Sequence, residues 1–142
     1  MLDSETQTSG SAADELRVSV SGGVALPSDE RYGVASRVWN AAVQRRPAMI
    51  ALCERVEDVQ AALRVARRHG LPLSVRGGGH DWAGRALRDG GLVLDLTGMR
   101  NVVVDPQARV ATVGGGARIR DLVAAAGAHD LVPVVGNCGT VA

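Results

Sequence analysis

The sequence predicts an α+β fold, and three observations carry that prediction. The stretch "AMIALCERVEDVQAALRVARRHGLPLSV", Ala48 to Val75, reads as strand, helix, strand. "NVVVD" and "ARVATV" are two β-rich runs joined by "PQ", the pattern of a hairpin. "ARIRDLVAAA" then opens a helix directly after three glycines at 114–116. No internal repeat or linker divides the chain of 142 residues, which has the length of one domain or part of a larger one.

Each element follows from its own residues. The start, "MLDSETQTSGSAADE", is acidic and polar, unlike a secretory signal. Residues 1–20 are therefore expected to be a disordered tail, with the domain over 21–142. A short extended piece and then a helix follow, the helix with Val34, Val38, Ala41 and Ala42 as a weak apolar stripe and Pro47 as its stop. Ala48 to Cys53 is the first clear strand. In the next helix, Val56, Val59, Ala62, Leu63 and Ala66 line one face, and Glu57, Arg64, Arg67 and Arg68 the other. Acidic residues open it and basic ones close it, as the helix dipole prefers, and Gly70 ends it. "PLSV" gives a second strand, and the crossover between the two is expected to be right-handed. Gly91 to Leu96 is a further strand, followed by the hairpin. The last helix runs from Ala117 to about Ala126, with Ile119, Leu122, Val123 and Ala126 on its apolar side. "LVPVVG" is a final short extended piece. The chain then stops on a glycine turn, "NCGTVA", as the front portion of a longer protein would.

Composition narrows the function. The chain is 46% hydrophobic but only 2% aromatic, with no Phe, so few residues could build an aromatic substrate pocket. Sixteen basic residues balance 15 acidic ones, which gives no electrostatic case for nucleic acid or an anionic membrane. No apolar run is long enough to span a bilayer. Cys53 and Cys138 belong to no Cys-x-x-Cys pair, and His69, His80 and His129 do not fall at metal-ligand spacing, so no metal is expected. A cytoplasmic, disulfide-free protein is the default reading.

The stretch "LSVRGGGHDWAG", Leu73 to Gly84, holds the chemistry. Glycines after a strand let successive backbone N–H groups point into one concavity that binds anions. Arg76 adds a positive charge beside it. The spacing fails the Rossmann fingerprint, because Trp82 stands where the third glycine belongs, and fails the P-loop, because Arg85 and Ala86 follow Gly84. His80 supplies a nucleophilic nitrogen near neutral pH. From residue types alone, a tight glycine turn with a surface histidine remains equally open. The second glycine run, 114–116, reads as a structural turn rather than an anion site. Asp95 reads as a structural carboxylate tied to backbone donors, and Cys53 as core.

Across Tyr32 to Val141 the chain resembles the N-terminal FAD-binding portion of berberine-bridge-enzyme-like oxidases, of the vanillyl-alcohol-oxidase type. The resemblance rests on "RYGVASRVWN", on "RGGGH" with its following "AG", on "LVLDL", on "ARVATVGGGARIRDL" and on "VVGNCGTV". It implies a two-subdomain FAD-binding fold of the PCMH type, incomplete in this chain. It implies that Arg76, Gly77, Gly78, Gly79, His80 and Gly84 bind the cofactor, with FAD bonded covalently through His80. Cys138, followed by Gly139, Thr140 and Val141, lies where bicovalent members attach the flavin a second time; a small buried cysteine is the alternative. Two residues depart from the family pattern. Asp81 stands where relatives carry Ser or Thr, and should point away or bind the ribose. Asp130 replaces a turn glycine, which a left-handed Asp tolerates. The implied function is oxidation of a small-molecule alcohol or amine-adjacent carbon by hydride transfer to flavin, with oxygen as the final acceptor. No catalytic base is assigned, and the fragment alone is expected to be inactive, truncated before a second glycine loop and a substrate domain. The alternative is a non-catalytic flavin-binding module or remnant.

Overall fold

The computed structural model describes residues 2–142. Helix α1 spans Leu2–Ser19, strand β1 Val24–Ala25, helix α2 Tyr32–Ala35 and strand β2 Met49–Leu52. Helix α3 is Val56–Arg68, β3 Leu73–Arg76, β4 Leu92–Asp95, β5 Val102–Asp105, β6 Val110–Val113 and α4 Ile119–Gly127. Four strands form one sheet in the order β1-β2-β4-β3, and β5 and β6 pair as a separate two-stranded sheet. β4 lies between β2 and β3 and runs parallel to both, while β1 pairs antiparallel at the β2 edge.

The sheet alternates its side chains between two apolar clusters, as strand pleating requires. Met49, Ala51, Leu92 and Leu94 face α1 and α3, and Ile50 and Val93 face Ala25, Ala35 and Leu87. The first face is covered by helices and the second largely by irregular chain. All four residues of β4 are buried, as suits a central strand.

The expected disordered tail over 1–20 is corrected by α1; of that stretch Met1 lies outside the described residues. Ala12, Leu16 and Val20 are buried and recur every four residues, so they form one face. That face packs with Ala62, Val65 and Ala66 of α3. Glu15 adds an ion pair to Arg68 and a 3.1 Å contact with the Nε2 of His69. The buried face of α3 is rotated accordingly. It runs through Asp58, Ala61, Ala62, Val65 and Ala66, whereas Val56 and Leu63, expected inside, are 55% and 38% exposed. The expected helix through Val38, Ala41 and Ala42 ends at Ala35, and 36–48 is irregular. The second hairpin strand begins at Val110, because Asp105 Oδ1 accepts the amides of Gln107 and Ala108 and Arg109 turns left-handed at φ 54°. "LVPVVG" forms no strand, and Asp130 does adopt the left-handed turn, at φ 56°.

Asp58 joins the helical layer to the sheet. Its fully buried carboxylate accepts from Ser21 N (3.0 Å), Ser21 Oγ (2.6 Å), Glu54 N (2.9 Å) and Arg55 N (3.3 Å). Burial alone pushes its carboxyl up, but these donors outweigh it and hold the group down at about 2. The folded value lies below the usual carboxylate range. The contribution is therefore present above about pH 4 and lost as the pH falls through about 2. Asp58→Asn is expected to cost about 1–3 kcal/mol in urea unfolding at pH 7. The same variant should flatten the acid limb of the stability curve between those pH values.

Candidate functional site

The carboxyl ends of three parallel strands meet at Leu52, Arg76 and Asp95, whose register pairs Asp95 with both others. In open sheets with parallel strands, ligands bind at this edge. Here a crevice of about 390 Å³ is lined by Leu52, Arg76, Asp95 and Thr97 under Arg31 and Val34. The Nη1 of Arg76 donates to Asp95 Oδ2 at 3.1 Å and to the carbonyl of Ala35, and Asp95 Oδ1 accepts the Thr97 amide at 2.8 Å. Asp95 is thus the structural carboxylate its sequence context suggested. The charge of Arg76, expected beside the anion site, is paired with Asp95, and its Nε is buried without a partner. A larger cleft of about 780 Å³ beside Tyr32 and Pro47 contains none of the cofactor-site candidates named from the sequence.

The glycine loop leaves β3 at this edge. Among the described residues, the amides of Gly77, Gly78, Gly79 and His80 donate to no backbone carbonyl. They form a run of free donors at a strand end. The loop is also crowded by its own chain. A Cβ at Gly77 would lie 2.8 Å from the Gly115 carbonyl oxygen, and one at Gly78 would lie 2.7 Å from the Ala142 nitrogen. Side chains are excluded there by the protein's own packing. Gly84, expected beside the cofactor, closes the turn that follows the loop. It is buried against Val43 with φ 65°, its amide goes to Asp81 O, and its carbonyl accepts from Leu87. Asp81 turns its carboxylate to the Arg85 amide at 2.7 Å.

A strap formed by residues 38–45 lies along this loop. The Trp39 amide donates to Gly79 O (3.0 Å), Asn40 Nδ2 to Trp82 O (3.0 Å) and Arg45 to Ala83 O (3.4 Å). These contacts, with Val38 against Gly79 and Val43 against Gly84, explain why the expected helix is absent. The Trp39 indole stacks on the His80 imidazole at 5.9 Å and 22°, and meets Trp82 edge-to-face at 5.2 Å and 77°. The sequence reading missed Trp39 by placing it in a helix. The available signal was only that Trp39 and Trp82 are two of the three Trp, Tyr and Phe residues in the chain.

The segment 136–142 completes the surround. Val141 O and Gly139 O accept the amides of Ile119 and Arg120, so the start of α4 is capped by protein and the 114–116 turn is structural. Ala142 reaches Gly78, which joins this segment to the His80 loop. Cys138 is exposed, with its Sγ 3.2 Å from Thr140 Oγ1. The Thr140 hydroxyl first, then the Thr140 amide, lowers its thiol below the usual value. Cys53 is buried, and burial pushes its thiol up to about 12. No helix among the described residues is long and apolar enough to cross a membrane.

Comparison with known proteins adds an independent line. A family profile described as an FAD binding domain matches residues 47–142. The chain is 38% identical over 128 residues to (R)-6-hydroxynicotine oxidase of Paenarthrobacter nicotinovorans, covering 86% of this chain and 28% of that protein. It is 33% identical over 118 residues to the FAD-linked oxidoreductase hasG of Aspergillus fumigatus, covering 83% and 25%. Among solved structures, 6-hydroxy-D-nicotine oxidase from Arthrobacter nicotinovorans superposes with a TM-score of 0.83 at 37% identity, over 87% of this chain and 27% of that one. The wild-type BBE-like 1 protein of Physcomitrella patens gives 0.80 at 28% identity, over 96% and 29%. The chain spans about a quarter of the length of these relatives.

The two thiols should separate cleanly in reactivity. Iodoacetamide at neutral pH is expected to modify Cys138 and leave Cys53 intact until the protein unfolds, as read by peptide mass spectrometry. The rate at Cys138 should reach half-maximum below pH 9.0, the value for an unperturbed thiol. Thr140→Val should raise that midpoint and slow labelling at pH 7 about two- to fivefold.

Proposed function

The chain belongs to the FAD-binding-domain family of berberine-bridge-enzyme-like, PCMH-type FAD-linked oxidoreductases, and on that premise we propose that it holds the FAD diphosphate on the amides of Gly77 to His80 and bonds the flavin through the His80 imidazole. One observation carries this reading: the unpartnered backbone donors run without a break into His80. Such a row of N–H groups suits an anion, and no side chain is needed to supply charge. The paired guanidinium of Arg76 serves instead to fix where the loop begins.

Bound flavin supplies a hydride acceptor that passes its electrons on to oxygen. His80 would contribute the imidazole nitrogen of the bond and give up its N–H proton, while the flavin, when bound, would supply the 8-methyl carbon, release one of its methyl protons and take up the two electrons, with oxygen as their final acceptor. In the same reading the Cys138 thiol, with Gly139, Thr140 and Val141 around it, is the second attachment point, closed only on a flavin that the His80 bond already holds. The lowered thiol value favours the thiolate that such a bond requires. The substrate is a small molecule oxidised at an alcohol or amine-adjacent carbon. Relatives described as a hydroxynicotine oxidase and as a pollen allergen with glucose dehydrogenase activity span that range.

The test is attachment itself. Protein supplied with FAD, then acid-precipitated and weighed by denaturing mass spectrometry, should carry covalent flavin. His80→Ala should lose all of that mass, and Cys138→Ala should keep it through the histidine bond. Flavin mass that persists in His80→Ala and vanishes in Cys138→Ala would reverse the assignment.

A further inference from the structure

The glycines that free the amides also free His80. Its three predecessors have no side chains to pack against the ring, and Asp81 turns away to the Arg85 amide. A nucleophilic imidazole must nevertheless present one nitrogen along one direction. The ring contact that meets this need is Trp39, stacked at 5.9 Å and 22°. We propose that Trp39 is the positioning residue of the attachment, holding the His80 imidazole by its face so that an in-plane nitrogen points at the flavin. The inference rests on the His80 bond proposed above.

Geometry favours stacking over a hydrogen bond for this task. The reactive lone pair of imidazole lies in the ring plane. A hydrogen bond to that nitrogen would occupy the lone pair, whereas a partner on the face restricts rotation and leaves it free. The indole is itself well held. Its backbone amide is tied to Gly79 O, its side chain meets the edge of Trp82, and the next residue, Asn40, binds the Trp82 carbonyl. Both indoles remain exposed, Trp39 at 57% and Trp82 at 74%, so core packing does not account for them.

The experiment compares wild type, Trp39→Ala, Trp39→Phe and His80→Ala, each incubated with FAD. Total bound flavin is measured by equilibrium dialysis, and covalent flavin by denaturing mass spectrometry over time. Trp39→Ala is expected to bind FAD within about threefold of wild type and to attach it about 10- to 100-fold more slowly. Trp39→Phe, which keeps an aromatic face, should restore most of the rate. In flavin-free protein, the ring-proton NMR signals of His80 should lose their indole ring-current displacement in Trp39→Ala, while those of His69 and His129 stay in place. An unchanged attachment rate, or unmoved His80 signals, would overturn the proposal. Parallel loss of FAD binding and attachment would overturn it too, in favour of a purely structural strap. Covalent flavin retained in His80→Ala would bring down the attachment reading and the role of Trp39 with it, whatever the NMR signals show.

Discussion

The ion pair between Arg76 and Asp95 is the constraint on which the site depends. It closes β3 against β4 at their carboxyl ends, and through the Ala35 carbonyl it draws α2 to the same point. An ion pair withdrawn from water is costly unless its remaining hydrogen-bonding groups are also satisfied. Asp95 meets that condition, because its second oxygen takes the Thr97 amide, whereas the Arg76 Nε is buried without a partner. The pair fixes the direction in which the glycine loop departs, and it does so with a residue whose charge the sequence seemed to offer to a ligand. In the proposed reading, recognition of an anion is left to the backbone, where direction is set by the fold and not by a flexible side chain.

The parts of the fold legible in sequence were those whose burial is local. Four apolar residues at 49–52 and four residues at 92–95 read as strands because the sheet buries both of their faces. Gly70, in its left-handed turn, marked the end of α3. What could not be read depended on distant partners. Ala12 and Leu16 look like tail residues until α3 offers an alanine face against which they close. Trp39 and Val43 suit a helix until the turns at 79 and 84 claim them. The site divides in the same way. The loop from Gly77 to His80 stood out in the sequence. Its neighbours Gly115, Ala142 and Trp39 did not, because they come from three separate parts of the chain.

The two halves of the structure are unequally supported. The four-stranded sheet lies between two apolar clusters. The hairpin has no such cover: all four residues of β6 are exposed, and Val103 and Val110 are each 57% exposed. An isolated two-stranded sheet is marginal in water, so the hairpin depends on α4 and on its connection to the larger sheet. Arg100 provides part of that connection by gripping Asp121, which also accepts the Arg118 amide at the start of α4. Asp58 and Asp121 play matching parts, each reaching back from the first turn of its helix to bind the amide of the Arg three residues earlier.

The contact of Ala142 with Gly78 has a bearing on how the protein is made. Residues 77–80 leave the ribosome well before residues 136–142, and the sheet can assemble in the interval. The glycine loop is therefore walled on one side only after the thiol-bearing segment has been synthesised and laid across α4.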